Sequence, residues 1–176
     1  AHAGIVITEV MSSSGTNGTP DWFEVTNYGS SAVSLTGWKM DDNSFAIGSA
    51  VALSGITSIG AGETVVFIES AAGAAVSSFR SFWGGLAGVQ VGYYSGSGVS
   101  LSSNGDSVVL FNSGNTEVTR VSFGAATSGS TFFWGYDAAS GVVDSSYNGL
   151  VSTVGTIGSQ VTFQSSGDTG SLGTAI

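Results

Sequence analysis

Few side chains in this sequence could do chemistry, and they are scattered. The one histidine, His2, lies next to the amino terminus, and there is no cysteine. A Ser-His-Asp triad would need that imidazole as a fixed base, whereas terminal residues fray. The lack of cysteine excludes thiol chemistry, Cys-ligated zinc and iron–sulfur clusters. Glu9, Asp21 and Glu24 are the candidates for paired carboxylates, the arrangement that divides acid and base roles in glycoside hydrolysis. Their ordinary role is to accept bonds from loop amides or to face solvent. Asp41, Asp42 and Asn43 form an oxygen-rich run that a hard cation such as Ca²⁺ could use; the plainer reading is a polar turn. Trp22, Trp38, Trp83 and Trp134 offer flat faces suited to sugar rings. Trp38 reads as core, as in sandwiches generally. Trp83 and Trp134 are candidates for exposure. Tyr93 and Tyr94 are neighbours on an extended run, so one ring must face out; Tyr94 is the candidate taken. Asn17-Gly18-Thr19 is a glycosylation sequon in a polar loop. There is no G-x-S-x-G, H-E-x-x-H, Walker or EF-hand sequence. The chain therefore reads as non-enzymatic, with no catalytic or cofactor-binding residues and no metal beyond the calcium candidates.

Composition narrows the partners. Only 9% of the 176 residues are charged, against about 25% in ordinary soluble domains. Twelve are acidic and three basic (Lys39, Arg80 and Arg120), for a net charge of −9. Three cations cannot neutralise a phosphate backbone, so nucleic acid is excluded as a partner. An anionic membrane would repel the chain, and no apolar run is long enough to span one. Ala1-His2-Ala3 has the A-x-A form found at the end of a signal peptide. Scarce lysine, excess acid and absent cysteine fit a bacterial protein exposed to an outside medium, extracellular or on the cell surface.

The elements that must position these residues are strands. Period-two alternation and β-branched runs mark 4–11, 21–28, 32–35, 37–41, 50–53, 64–69, 99–101, 106–112, 117–123, 131–134 and 160–163. Asn27-Tyr28-Gly29-Ser30 and Asn112-Ser113-Gly114-Asn115 carry hairpin turn chemistry. Val76, Phe79, Phe82 and Trp83 fall at helical spacing, which predicts one short helix near 76–83 ended by Gly84-Gly85. The pattern predicts an all-β sandwich or barrel in a single domain over 1–176. From about 138 to 160 the pattern is weak, and the stretch could form a long loop, an extra hairpin or a swapped arm, so 126–160 reads as an insertion or arm.

The order of motifs resembles the lamin-tail domain family. I-V-I-T-E-V is followed by a polar loop, then D-W-F-E-V-T-N-Y-G, then A-V-S-L-T-G-W-K-M-D-D. Asp21, Trp22, Glu24, Asn27, Leu35, Gly37, Trp38 and Asp41 match the family's D-W-I-E-L-x-N and L-x-G-W-x-L-x-D. A Gly-rich turn into a strand ending at Glu69, the segment Phe79 to Trp83, and V-V-L-F-N-S-G-N-T-E-V-T-R-V-S-F follow in the family's order. The turn Leu101 to Asp106 departs from it by one inserted residue. The likeness covers about residues 4–125. It implies an immunoglobulin-like β-sandwich without catalytic residues. In bacteria the family resembles a module of secreted and surface proteins, and in animals it belongs to nuclear filament proteins.

Two functions follow as expectations. One is a self-associating subunit of an extracellular fibre or matrix, with other copies of the chain as partners. Sheet edges with almost no lysine are poorly guarded against pairing, and the first strand, Ile5, Val6, Ile7 and Thr8, is the expected contact, by strand addition. The other is an adhesion module that binds polysaccharide or surface proteins through Trp83, Tyr94 or Trp134.

Overall fold

The computed structural model describes residues 4–15, 19–84, 86–153 and 167–176, and the backbone of 163–165. In chain order the strands are β1 (Ile5–Met11), β2 (Trp22–Asn27), β3 (Val33–Ser34), β4 (Lys39–Asp41), β5 (Val51–Ala52), β6 (Ser58–Ile59), β7 (Thr64–Glu69), β8 (Val91–Tyr94), β9 (Asp106–Phe111), β10 (Glu117–Phe123), β11 (Phe132–Tyr136), β12 (Val143–Val151), β13 (Phe163–Ser165) and β14 (Asp168–Gly170). A helix, α1 (Val76–Trp83), follows a 3-10 turn at Ala71–Gly73. Six strands form one sheet, ordered β12-β11-β1-β2-β7-β8, and four form a second, ordered β10-β9-β4-β5. The sheets pack face to face as an immunoglobulin-like β-sandwich.

The inner faces supply the main core: Ile5, Ile7, Val10, Phe23, Val25 and Phe67 from the first sheet, and Met40, Val108, Leu110 and Val121 from the second. The outer face of the six-stranded sheet is buried too. Met11, Trp22, Val66 and Ile68 meet Phe79 and Trp83 of α1, together with Leu86 and Leu172. Trp22 lies edge-on to Phe79 and Trp83, with ring centroids 6.3 and 5.9 Å away, a geometry that favours aromatic pairs. This third layer explains why β2 is buried at all six positions rather than at alternate ones.

Several expectations change. β1 is not an edge: β2 and β11 both pair with it, and Ile5, Val6, Ile7 and Thr8 are buried. Their side chains are buried and β2 occupies one side of them, while β11 meets β1 only at Glu9 and Val10, so the long open edge lies elsewhere than at these four residues. The 126–160 region supplies the β11–β12 hairpin, with β11 on the strand expected at 131–134 and β12 in the weakly patterned part after 138; residues 154–160 lie outside the described residues. Asn27 to Ser30 does not close a hairpin, since β2 and β3 belong to different sheets. The Asn112 to Asn115 turn does close one: Asn112 and Thr116 bond across it at 2.9 Å, and Asn115 takes φ 61°. Residues 99–101 are not a strand, and Val91–Tyr94, which lacks alternation, is one.

β8 runs parallel to β7 and is stitched on its other side to Ser54, whose backbone exchanges bonds of 3.0 and 2.9 Å with Tyr93. That approach requires glycine at 92. A Cβ there would lie 2.5 Å from the Ser54 carbonyl oxygen and 2.7 Å from the Phe67 ring. Gly92→Ala should therefore destabilise the fold by about 1–3 kcal/mol, as overpacked cores do, measured as a lower midpoint in urea. An unchanged midpoint would show that this edge yields freely.

Candidate functional site

β1 carries a bulge. Ile7 lies opposite Val25, yet Glu9 lies opposite Glu24, so two steps on β1 match one on β2. Ile5 and Ile7 face the main core, and after the bulge Val10 does so. Strict alternation would have sent Glu9 into that core. The bulge turns it to the outer face, beside Glu24. Both carboxylates are buried, at 0% and 1% exposure.

The two acids are satisfied mainly by the end of the chain. Glu9 accepts bonds from the Thr131 hydroxyl at 2.7 Å, the Ser171 amide at 2.8 Å and the Ser171 hydroxyl at 2.8 Å. Glu24 accepts from the Thr8 hydroxyl at 2.6 Å and the Gly173 amide at 2.8 Å. The Tyr28 hydroxyl donates to the Ile176 carbonyl at 2.8 Å, and the side chain of Leu172 enters the second core. Residues 168–176 thus lie as a strap over the bulge. Burial pushes Glu9 up to about 7, against the lowering effect of its bonds. Burial, then repulsion from Glu9, raises Glu24 well above the ordinary range.

Strap and strand groups bond to both acids, and neither lines the cleft at Trp134 and Val143. Asp21 does not join them. Burial, then repulsion from Glu69 and Asp106, raises it to about 7. Asp41, Asp42 and Asn43 do not converge either. Asp41 bonds to the Ser44 hydroxyl at 2.5 Å, the Ala46 amide at 2.7 Å and the Ser49 hydroxyl at 3.0 Å. Burial acts to raise it, but these bonds outweigh that and hold it below the usual value. Asp42 caps Ser44, and the Asn43 amide donates to Asp106. The run is a turn whose acids are engaged in ordering it. Among the described residues no group of three His, Cys, Asp or Glu side chains could hold a metal ion.

The aromatic candidates are corrected. Trp83 is 4% exposed, Tyr94 0% and Trp134 3%. Trp83 fills the space between α1 and the first sheet, and Trp134 faces the main core. The tyrosine pair splits as alternation requires but in the opposite sense. Tyr93 is the partly exposed ring and lies over Gly73, where a Cβ would come within 2.8 Å of it. Trp38 is core, as expected. Asn17 and His2 lie outside the described residues.

Among the described residues, what remains open is a sheet edge. β12 ends the first sheet and β10 the second. β12 has nine residues, with one charge, Asp144, and no lysine. Beside Val142, which is 63% exposed, it carries Leu150 and Val151 at 44% and 42%. Because β10 packs across β1, β11 and β12 project past it. A cleft of about 390 Å³ opens there, walled by Val6, Val121, Trp134, Tyr136, Val143 and Asn148 and bordered by Arg120. Arg120 pairs with Glu117 and lies 3.8 Å over the Phe45 ring. The sequence held one signal for this edge: apolar pairs, Val142-Val143 and Leu150-Val151, at both ends of a polar run.

The family model described as Lamin Tail Domain matches residues 1–125. The match ends after β10 and before the β11–β12 hairpin and the strap. No curated protein matches the chain.

The buried acids set a pH dependence. A carboxyl whose folded value is raised stabilises fully below its unfolded value, 4.5 for Glu9, and that stability is lost as pH rises through about 7. Glu24 and Asp21 act in the same direction. Asp41 and Glu117, which are lowered, act only in more acid solution. The thermal midpoint should therefore fall from pH 5 to pH 8. Glu24→Gln carries no charge, and its Oε1 can accept from the Gly173 amide while its Nε2 donates to the Thr8 hydroxyl, so it should flatten the slope. A midpoint that rises over this range would contradict the assignment.

Proposed function

Because the chain belongs to the lamin tail domain family, we propose that it is a structural module of self-assembly, a non-enzymatic subunit that binds copies of itself in an extracellular fibre or matrix. The family is generally non-enzymatic and compatible with a structural or interaction role. The observation that carries the homotypic reading is β12: a nine-residue edge strand with exposed valine and leucine and no guarding cation. Composition supports the same reading. A sandwich meant to stay solitary gains from mixed charges on its outer faces, and this chain has 9% charged residues. Scarce lysine and absent cysteine favour a place outside the cell. The adhesion alternative loses its three named aromatics to the interior and has no comparable surface in its support.

Sedimentation velocity over a concentration series, with electron microscopy of the concentrated protein, tests the reading. Self-association is expected, and it should strengthen with added salt. A net charge of −9 repels between copies, and the screening length falls from about 30 Å at 0.01 M to about 8 Å at 0.15 M. Replacing Leu150 and Val151 together by lysine should weaken association at least about tenfold, or about 1.4 kcal/mol, and leave the thermal midpoint of the monomer nearly unchanged. Only monomers, at every concentration and ionic strength, would refute the proposal.

A further inference from the structure

We propose that two copies of the chain clasp each other about a two-fold axis parallel to the strands, with β12 of each copy hydrogen-bonded to β10 of the other. This names the surface of the homotypic reading above and rests on it. The two sheets end out of step. The first continues two strands, β11 and β12, beyond the point where the second stops at β10. The overhang leaves a lane beside β10 that no described residue fills, roofed by the inner faces of Trp134, Tyr136, Val143 and Asn148. A second copy turned by 180° about an axis midway between the layers presents the complementary step. Its β12 enters the lane beside β10, while the first copy's β12 enters the lane of the second. Each copy then lays its inner overhang face on the other's.

Three features favour this occupant. Both exposed edges are long, nine residues in β12 and seven in β10, so each seam can form a ladder of backbone bonds. A free peptide strand would fill the lane and still leave β12 unpaired, whereas a second copy engages both edges in one closed, isologous contact. The charges are complementary. Val121 and Val143 face inward, so their neighbours Arg120 and Asp144 lie on the outer side. Arg120 is the sole cation of β10, and Asp144 the sole charge of β12. Joining the two edges brings Asp144 to the same face of one continuous sheet as Arg120, which already pairs with Glu117 of its own strand and would lie between the two acids. The clasp is closed, so a fibre would be built from clasped pairs joined elsewhere.

The absence of native cysteine makes the test clean. Ser122 of β10 and Ser145 of β12 are exposed, and Ser122→Cys and Ser145→Cys should fold, as thermal midpoints would verify. Ser146→Cys replaces the second variant if it does not. The full chain is treated with a short bismaleimide. Mixing the two variants should yield cross-linked dimer, either variant alone should yield little, and the double variant should end as a covalent dimer. Cross-linking of Ser145→Cys alone would mean that β12 pairs with β12 and would overturn the clasp. A ladder of polymers from the double variant would mean head-to-tail joining and would also overturn it. Concentration-dependent sedimentation of the unmodified chain without cross-linking of the mixture would overturn the clasp but not self-association. Monomers throughout would overturn both.

Discussion

The bulge between Ile7 and Glu9 is the constraint on which the outer layer depends. It changes which side of the sheet β1 shows, so one strand serves the sandwich core with Ile5 and Ile7 and then buries Glu9 and Met11 on the opposite face. A buried carboxylate is tolerated only if it is neutral or well bonded. Glu9 and Glu24 lie opposite each other, so repulsion adds to desolvation and favours the protonated form. Thr8, Thr131, Ser171 and Gly173 provide the bonds. The strap is therefore as much a partner of the acids as a cover for Trp22 and Met11. It lies beyond the matched segment, so the outermost part of the chain completes a site whose acids come from its beginning.

The β11–β12 hairpin works on the same sheet by a different principle. A six-residue match between β1 and β2 leaves the other side of β1 as an open edge, and open edges recruit strands. β11 fills that place, joined at Glu9 and Val10. Pairing does not remove the edge; it moves it outward to β12. The new edge differs in character from the old one, because it stands clear of the second sheet and shows its inner face as well as its backbone. The low charge of the chain then has a location, in a strand with a single acid flanked by exposed valine and leucine.

Much of the fold was legible in the residues. Alternation located β10, apolar and β-branched runs located β2, β7 and β9, which are buried nearly throughout, and the spacing of Phe79, Phe82 and Trp83 located α1. Other features were not legible for definite reasons. β8 is short and contains Gly92, whose lack of a side chain matters only through the nearness of Ser54 and Phe67. β12 has polar residues at most positions because it is exposed on both sides, so no period marks it. The aromatic candidates failed for a related reason. Trp83, Tyr94 and Trp134 are apolar whether they bind a ligand or fill a core, and composition does not distinguish the two.

The sequence by itself determined the all-β class, the β9–β10 turn and the helix, because these follow from local periodicity and turn residues. Only the tertiary structure decided which strand is an edge, which acids are buried together, and which rings see solvent. Those properties depend on contacts between residues as distant in the chain as Glu9 and Ser171, or β1 and β11. A local pattern records that a residue needs cover; it does not record what covers it.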